Sequence, residues 1–179
     1  SDTTMANQIG CPYGYDDASV KLLPDWPGAN GGAHLYSMVN RSRAGRVDAW
    51  VHYFTAAQTN LLMAEARQRG WITTSTAQAY YEAGIRQHML QADTWSDTRG
   101  SASPITASKI TRYLARPNIV YNPSTLATAL KQINEQYWIA SFLNWGEAWA
   151  NFRRSGYPAV APIAFPGEDQ YVMVSRGYD

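Results

Sequence analysis

The sequence has little cysteine, little histidine and no excess of charge. Its 179 residues include one cysteine, Cys11, which excludes an internal disulfide. Fifteen basic and fourteen acidic residues leave a net charge of +1, so no overall field attracts nucleic acid or an acidic membrane surface. No apolar run approaches the roughly 20 residues of a membrane-spanning helix. These absences argue against disulfide-rich, nucleic-acid-binding and membrane-spanning classes.

The residue combinations that enzymes use are also missing. The three histidines, His34, His52 and His88, form no HExxH motif and no i,i+4 pair, so the sequence predicts no metal and no cofactor. Asp16 and Asp17 are the best available carboxylate pair for glycoside hydrolysis. Adjacent side chains generally point apart, however, so a turn is the preferred interpretation. A glycosidase is therefore the third of three functional hypotheses.

Tyrosine and tryptophan are abundant, with 12 Tyr and 7 Trp against 4 Phe. Both side chains combine a flat apolar face with a polar group, which suits binding to the C–H face of a sugar ring. An ordinary core with many large residues is the alternative interpretation.

Helical periodicity begins near Asp48 and continues to Gly70, which is placed to end a first helix. Ser75, with Gln78 three residues later, predicts a capping box for a second helix that runs to about Met89. Gly84 lies inside this second helix, where it costs about 1 kcal/mol relative to alanine. We therefore expect a close approach of the two helices at Gly84.

Further helices are predicted over residues 107–115, 123–143 and 145–155, the last two forming a second hairpin that ends at Gly156. The predicted fold class is all-α, with paired antiparallel helices of the kind found in TPR-like arrays and with long irregular loops. Residues 1–47 are predicted to be mostly irregular. Residues 159–179 are predicted to form an extended tail, in which only 170–175 has the composition of a strand.

The stretch NWGEAWANFRRSGYP, residues 144–158, is interpreted as a packing element. Trp145 and Trp149 in this stretch, and Trp138 shortly before it, are expected to be mostly buried. Arg153 and Arg154 are expected at a helix C-terminus, where cations offset the helix dipole.

Four segments resemble the SusD/RagB family, and they occur in the family's order. They are LLMAEARQRGWI (61–72), AYYEAGIRQHM (79–89), KITRYLARPNIVYN (109–122) and LKQINEQYWIASFLNWGEAWANFRRSGYPAVAP (130–162). The resemblance implies a SusD-like αα-hairpin superhelix, with residues 1–179 forming the C-terminal part of a SusD-like domain.

Members of this family are lipid-anchored on the outer face of the outer membrane. The resemblance therefore implies a nutrient-binding component that performs no catalysis. It would capture oligosaccharides, or peptides in the RagB branch, for a TonB-dependent SusC-like transporter. The anchor is expected in the full-length protein and is absent from this chain. The open alternative is a TPR-like scaffold that binds a protein or peptide segment and no sugar.

The family motifs are packing motifs, so candidate ligand contacts are chosen on physical grounds. Trp26 and Trp95 lie in polar loops and are expected to stack on sugar rings. Asp97 and Arg99, close to Trp95, would hydrogen-bond sugar hydroxyls. The aromatic residues Tyr13 and Tyr15 are further candidates. The competing interpretation, in which each residue packs its loop onto the helices, stays open.

Overall fold

The computed structural model describes residues 10, 12–15, 18–23, 26, 36–37, 39–40, 43–95 and 104–161. The chain divides into a helical unit, Arg41–Ala159, and a smaller unit formed by Ser1–Asn40 and Val160–Asp179. The helical unit contains α1 (Ala56–Gln68), α2 (Ala77–Thr94), α3 (Ala107–Leu114), α4 (Leu126–Ala140) and α5 (Trp145–Ser155). No β-strand occurs in the described ranges, so the all-α prediction is confirmed.

The described part of the smaller unit has little regular structure. A single 3-10 turn spans Val20–Leu22, and Gly10 and Ser37 form an isolated parallel bridge. The rings of Trp26 and Tyr36 lie 5.8 Å apart. The predicted strand at 170–175 falls outside the described residues.

Helix α1 begins at Ala56, so the prediction of a start near Asp48 was wrong. Thr55 and Gln58 form a reciprocal capping box that fixes the start. The Gln58 amide donates to Thr55 Oγ1 at 3.3 Å, and the Thr55 amide donates to Gln58 Oε1 at 2.9 Å. Residues 48–54 show no helical hydrogen bonding and precede this cap. The capping residue therefore determines where α1 begins, and periodicity alone predicted this start too early.

Helix α2 begins one residue later than predicted and ends five residues later. Thr76 is the N-cap, while Ser75 adopts a left-handed φ of 56° just before it. Gly84 confirms the expected close approach, because a Cβ atom built there would lie 2.6 Å from Leu61 Cγ. Glycine is needed at this position for α1 and α2 to pack at their observed distance.

Helices α4 and α5 form the predicted second hairpin, but α4 begins three residues later and ends three residues earlier than predicted, whereas α5 has the predicted bounds. Thr125 caps α4, whereas Asn122 Oδ1 accepts a hydrogen bond from the Ser124 amide at 2.9 Å in a local turn. Asn144 caps α5 as predicted, and Gly156 ends it with a left-handed φ of 75°.

The core lies where α1, α2 and α4 meet. It is closed on one side by the segment after α3, since the Tyr81 hydroxyl of α2 donates to the carbonyl of Ile119 at 2.9 Å. The buried residues that form this core are Ala57, Leu61, Ala64, Ala77, Tyr81, Ile85, Ile119, Tyr121, Ala129, Ile133, Tyr137 and Ala140.

A partly buried ion-pair network, in which Glu65 is buried and Arg154 is partly exposed, attaches α5 to α1 and α4. The Arg154 guanidinium donates to Glu65 Oε1 at 2.7 Å and to Glu65 Oε2 at 2.9 Å, and also to Asn134 Oδ1 at 3.1 Å. Burial of Glu65 opposes ionisation, but the hydrogen bonds from Arg154 and Arg69 outweigh it and lower the pKa of this carboxyl. Arg154 occupies the last turn of α5 as predicted, and its buried carboxylate partner was not predicted.

Candidate functional site

Trp95 is 9% exposed, so the prediction of an exposed loop tryptophan was wrong at this position. It follows directly on α2, and its indole Nε1 donates to the carbonyl of Trp50 at 3.2 Å. Its ring packs against His52 at 5.6 Å and Phe142 at 6.0 Å. The longer α2 carries Trp95 into the helical packing. Asp97 and Arg99 lie outside the described residues.

The other three predicted site residues belong to the smaller unit. Tyr13 and Tyr15 are exposed, as sugar stacking requires. Trp26 is half-buried beside Tyr36. Ligand binding by these three aromatic residues stays a prediction.

The tryptophans of α4 and α5 are exposed, which contradicts the expected burial. Trp145 is 80% exposed, Trp149 51% and Trp138 36%. Helix α5 instead packs through its smaller residues, and it is Ala148 and Asn151 that are buried. The expectation that these tryptophans are buried was therefore wrong, while the interpretation of residues 144–158 as a packing element stays a prediction.

These exposed rings border a depression between α4 and α5, which we call the apolar groove. Its volume is about 540 Å³, and no charged side chain lines it. Of its polar residues, Ser141 is already bonded, because its hydroxyl donates to the Tyr137 carbonyl at 2.9 Å. The groove is lined by His88, Trp138, Ile139, Ser141, Phe142, Leu143, Trp145, Ala148 and Trp149.

His88 is the one titratable residue of the apolar groove. Burial, and then the nearby His52, lower the pKa of its imidazole, which keeps the ring neutral at pH 7. Its buried Nδ1 has no hydrogen-bond partner within the described residues. The groove therefore has no charged group at pH 7, and its hydrogen-bonding groups are few: His88, Ser141 and the indole N–H groups of its tryptophans.

A second depression, which we call the polar cleft, lies between the end of α3 with its following loop and the outer face of α4. Its volume is about 640 Å³, within the usual range for ligand pockets. Trp138 and Ile139 line this cleft as well as the apolar groove. The remaining lining residues are Tyr81, Tyr113, Arg116, Asn118, Ile119, Thr128, Lys131, Gln132, Glu135, Gln136 and Pro158.

Two glutamines of α4 fix the walls of the polar cleft. Gln132 Nε2 donates to the Val120 carbonyl at 2.9 Å, and Gln132 Oε1 accepts from the Asn122 amide at 2.8 Å. Gln136 Nε2 donates to the Tyr113 hydroxyl at 3.3 Å. The loop and the tyrosine ring are thereby held before any ligand arrives, which reduces the entropy lost on binding.

Three charged side chains face the polar cleft. The guanidinium carbon of Arg116 lies 5.3 Å from the centroid of the Tyr113 ring, a cation–π arrangement. Lys131 and Glu135 form a loose i,i+4 pair on α4, with Nζ and Oε1 3.8 Å apart. Aromatic faces thus lie next to fork-shaped donors and a carboxylate acceptor.

A third depression is smaller and uncharged. It measures about 360 Å³ between the start of α1 and the C-terminal half of α2, with Phe54, Gln87 and Gln91 among its residues. The polar cleft is larger and contains both signs of charge, so it is the stronger candidate for a ligand site.

Two further properties concern the described residues alone. They contain no cluster of three or more histidine, cysteine or acidic residues that would hold a metal ion. None of their helices is long and apolar enough to cross a membrane.

The fold and its surface define a class of protein: an all-helical, TPR-like frame that carries aromatic side chains beside hydrogen-bonding groups. Comparison with known proteins identifies the family. The model of a SusD-like family, described as starch-binding and associating with the outer membrane, matches residues 3–178. The chain belongs to this SusD-like family, which confirms the resemblance found in the sequence. No curated protein matches it.

Several solved structures are similar to this chain. A Bacteroidetes AC2a SusD-like protein is 36% identical with a TM-score of 0.53, over 59% of this chain and 20% of that one. A chitin-binding protein is 31% identical with a TM-score of 0.51, over 64% and 23%. A SusD homologue from Bacteroides fragilis NCTC 9343 is 32% identical with a TM-score of 0.51, over 58% and 23%. The matched region spans about a fifth of the length of these relatives.

Proposed function

We propose that this chain is part of a cell-surface protein that captures oligosaccharides and delivers them to a TonB-dependent, SusC-like transporter of the outer membrane. The family description supports this proposal, since it combines starch binding with outer-membrane association. A relative described as chitin-binding supports a glycan as the ligand. A lipid anchor in the full-length protein and exposure at the cell surface belong to the same proposal.

The polar cleft is the proposed sugar site, and the observation that carries this assignment is its combination of side chains. The rings of Tyr113 and Trp138 provide flat faces for the C–H side of a pyranose. Arg116 and Glu135 provide a donor fork and an acceptor for the hydroxyls around its edge. A volume of about 640 Å³ is of the size that a short oligosaccharide needs.

Binding without hydrolysis is the proposed outcome. Most glycoside hydrolases use two carboxyl groups on opposite sides of the scissile bond. Among the residues that line the polar cleft, Glu135 is the single carboxylate, and Lys131 lies beside it. Asp16 and Asp17, the pair on which the glycosidase hypothesis depends, lie outside the described residues.

Calorimetric titration with maltohexaose and chitohexaose tests this proposal. The Tyr113→Ala variant is expected to weaken binding about tenfold or more, because it removes a stacking surface. Trp71→Ala is the control for loss of an aromatic side chain, since Trp71 is exposed and lies outside the cleft, whereas Tyr113 is half-buried within it. Equal loss in both variants would contradict the assignment of the cleft. Reducing-sugar release from a bound polymer would restore the glycosidase hypothesis.

The apolar groove favours a second candidate function, the binding of an apolar peptide segment. Its exposed tryptophans and uncharged lining suit aliphatic side chains better than sugar hydroxyls. A synthetic leucine-rich peptide and its serine-substituted counterpart provide the probes. Binding of the leucine peptide alone, lost in Trp149→Ala and retained in Tyr113→Ala, would support this function. Absence of binding by the leucine peptide would reject it.

A further inference from the structure

The polar cleft is lined by more cationic than anionic residues. Its lining contains two cationic residues, Arg116 and Lys131, and one anionic residue, Glu135. Burial raises the pKa of Tyr81, which therefore adds no charge at pH 7. The cleft therefore has an excess of one positive charge among three charged residues, as large as the net charge of all 179 residues.

Arg116 is the cation that lacks a counter-ion. Two other half-buried arginines have carboxylates close by. Arg43 Nη1 lies 3.8 Å from Asp93 Oδ1, and Arg46 forms an ion pair with Asp48. The half-buried Arg67 donates instead to the Ser75 carbonyl at 3.0 Å. Arg116 contacts the Tyr113 ring, and its guanidinium N–H groups have no carboxylate or carbonyl partner in the part of the chain that the structure describes.

The backbone holds Arg116 in place. Its carbonyl accepts hydrogen bonds from the Ile119 amide at 2.8 Å and from the Val120 amide at 2.9 Å, so it begins a tight turn after α3. The Tyr113 ring supports the guanidinium and is itself held by Gln136. A guanidinium positioned in this way presents a planar fork of donors, which matches the two oxygens of a carboxylate.

The single acidic residue of the cleft does not neutralise the charge of Arg116. Glu135 has Lys131 one helical turn away on α4, at 3.8 Å. Such exposed i,i+4 pairs are weak, but they keep opposite charges next to each other. Arg116 then remains as the excess cation, because it lies on the opposite wall, at the end of α3.

We propose that the polar cleft prefers acidic oligosaccharides, with Arg116, held over the Tyr113 ring, binding a uronate carboxylate in a bidentate manner beside a sugar ring that stacks on Trp138. This inference rests on the proposed function, because it names the class of glycan that the same cleft takes. Lys131 adds attraction at long range and makes the preference dependent on salt.

Matched acidic and neutral ligands test the preference. The probes are hexamers of galacturonate, glucuronate and mannuronate, each paired with its methyl ester, together with maltohexaose. At least one free acid should bind about tenfold or more tightly than its ester, because a charge-assisted bidentate pair exceeds 1.4 kcal/mol. The difference should shrink between 50 and 500 mM salt, where screening is stronger.

Two arginine variants assign the effect to a residue. Arg116→Ala should abolish the difference between acid and ester, and Arg116→Lys should restore it only in part, because an ammonium group does not provide a fork. Arg112→Ala is the matched control, since Arg112 is exposed one turn earlier on α3 and does not line the cleft. Unchanged melting temperatures would show that each variant is folded.

The outcomes separate the two proposals. Equal affinity for each acid and its ester overturns the acidic preference and leaves the glycan-binding proposal intact. An affinity for maltohexaose that equals the affinity for the acids has the same consequence. A preference for acid that persists in Arg116→Ala overturns the role of this residue. Failure of every oligosaccharide to bind overturns both proposals.

Discussion

The apolar groove and the polar cleft flank the same residue, Trp138, yet they differ in almost every chemical property. The groove has exposed indole rings and no charged lining residue, while the cleft combines aromatic rings with both signs of charge. Helix α4 separates them, with one face toward α5 and another toward the segment after α3. The comparison shows that exposed tryptophan alone does not identify a sugar site. The hydrogen-bonding groups around the ring distinguish the two surfaces.

The two surfaces also depend on different parts of the helical frame. Three groove residues, Trp145, Ala148 and Trp149, belong to α5, which the Arg154–Glu65 network attaches to α1. The cleft is built on α3 and α4 and uses no residue of α5. Variants that loosen α5 should therefore affect the groove first.

Arg154→Ala should give the largest effect, a destabilisation of about 3 kcal/mol. It leaves Glu65, 2% exposed, as a buried carboxylate with only part of its bonding. Chemical denaturation measures the change. Arg153→Ala is the control, because this neighbour has no ion-pair partner among the described residues, and it should change stability by less than about 0.5 kcal/mol. Equal effects of both variants would show that the network does not hold α5.

The same network predicts a pH dependence of known sign. Since the pKa of Glu65 is lowered from 4.5 in the folded state, its contribution is fully present above that value and is lost as the pH falls through the lowered pKa. Arg154→Ala should therefore approach the wild type in stability below pH 4. A difference that stays constant from pH 7 to pH 3 would contradict this origin.

Gly84→Ala tests the frame that both surfaces share. The added methyl group would lie 2.6 Å from Leu61 Cγ and 3.1 Å from the Ala57 carbonyl oxygen, so α1 and α2 must separate. Overpacking costs about 1–3 kcal/mol and exceeds the helix-propensity gain of about 1 kcal/mol.

Gly146→Ala provides the matched control for this glycine, because it lies in α5 with no atom within 4 Å of the added Cβ. It should be neutral or stabilising by up to about 1 kcal/mol. A stabilising effect of Gly84→Ala in thermal denaturation would show that the two helices are not closely packed.

The tryptophan series tests the exposure of the apolar groove directly. Truncation of a fully buried tryptophan to alanine lowers the free energy of unfolding by about 3–5 kcal/mol. Trp149, 51% exposed, should cost about half as much, and Trp145, 80% exposed, less than about 1 kcal/mol. Thermal melts of the two variants measure the order. A loss of 3 kcal/mol or more for Trp145→Ala would mean that its ring is covered.

Much of the frame was predictable from sequence, because periodicity and capping act locally. The short α3, the Asn144 cap, the Gly156 stop and the close approach at Gly84 all follow from neighbouring residues. Boundaries failed where a nearby threonine competed for the cap, as Thr55 and Thr125 did. The family resemblance identified the fold class beyond what local signals provide.

The surfaces were much less predictable, because they depend on which face of a helix finds a partner. The pattern of Trp145, Trp149 and Phe152 is the same for a buried and an exposed face. Trp95 was predicted to be exposed because its surroundings in sequence are polar, yet α2 carries it against His52. Arg116 and Tyr113 lie three residues apart, but the cleft that they border needs α4, far along the chain.

The most direct test of the account is an NMR titration that follows the indole Nε1–H signals of Trp138, Trp145 and Trp149 with each oligosaccharide at saturation. Sugar binding in the polar cleft should shift Trp138 and leave Trp145 and Trp149 unchanged, since the latter two line only the groove. Shifts of Trp145 and Trp149, with or without a shift of Trp138, would place the sugar in the apolar groove, which all three rings line, and would contradict the account.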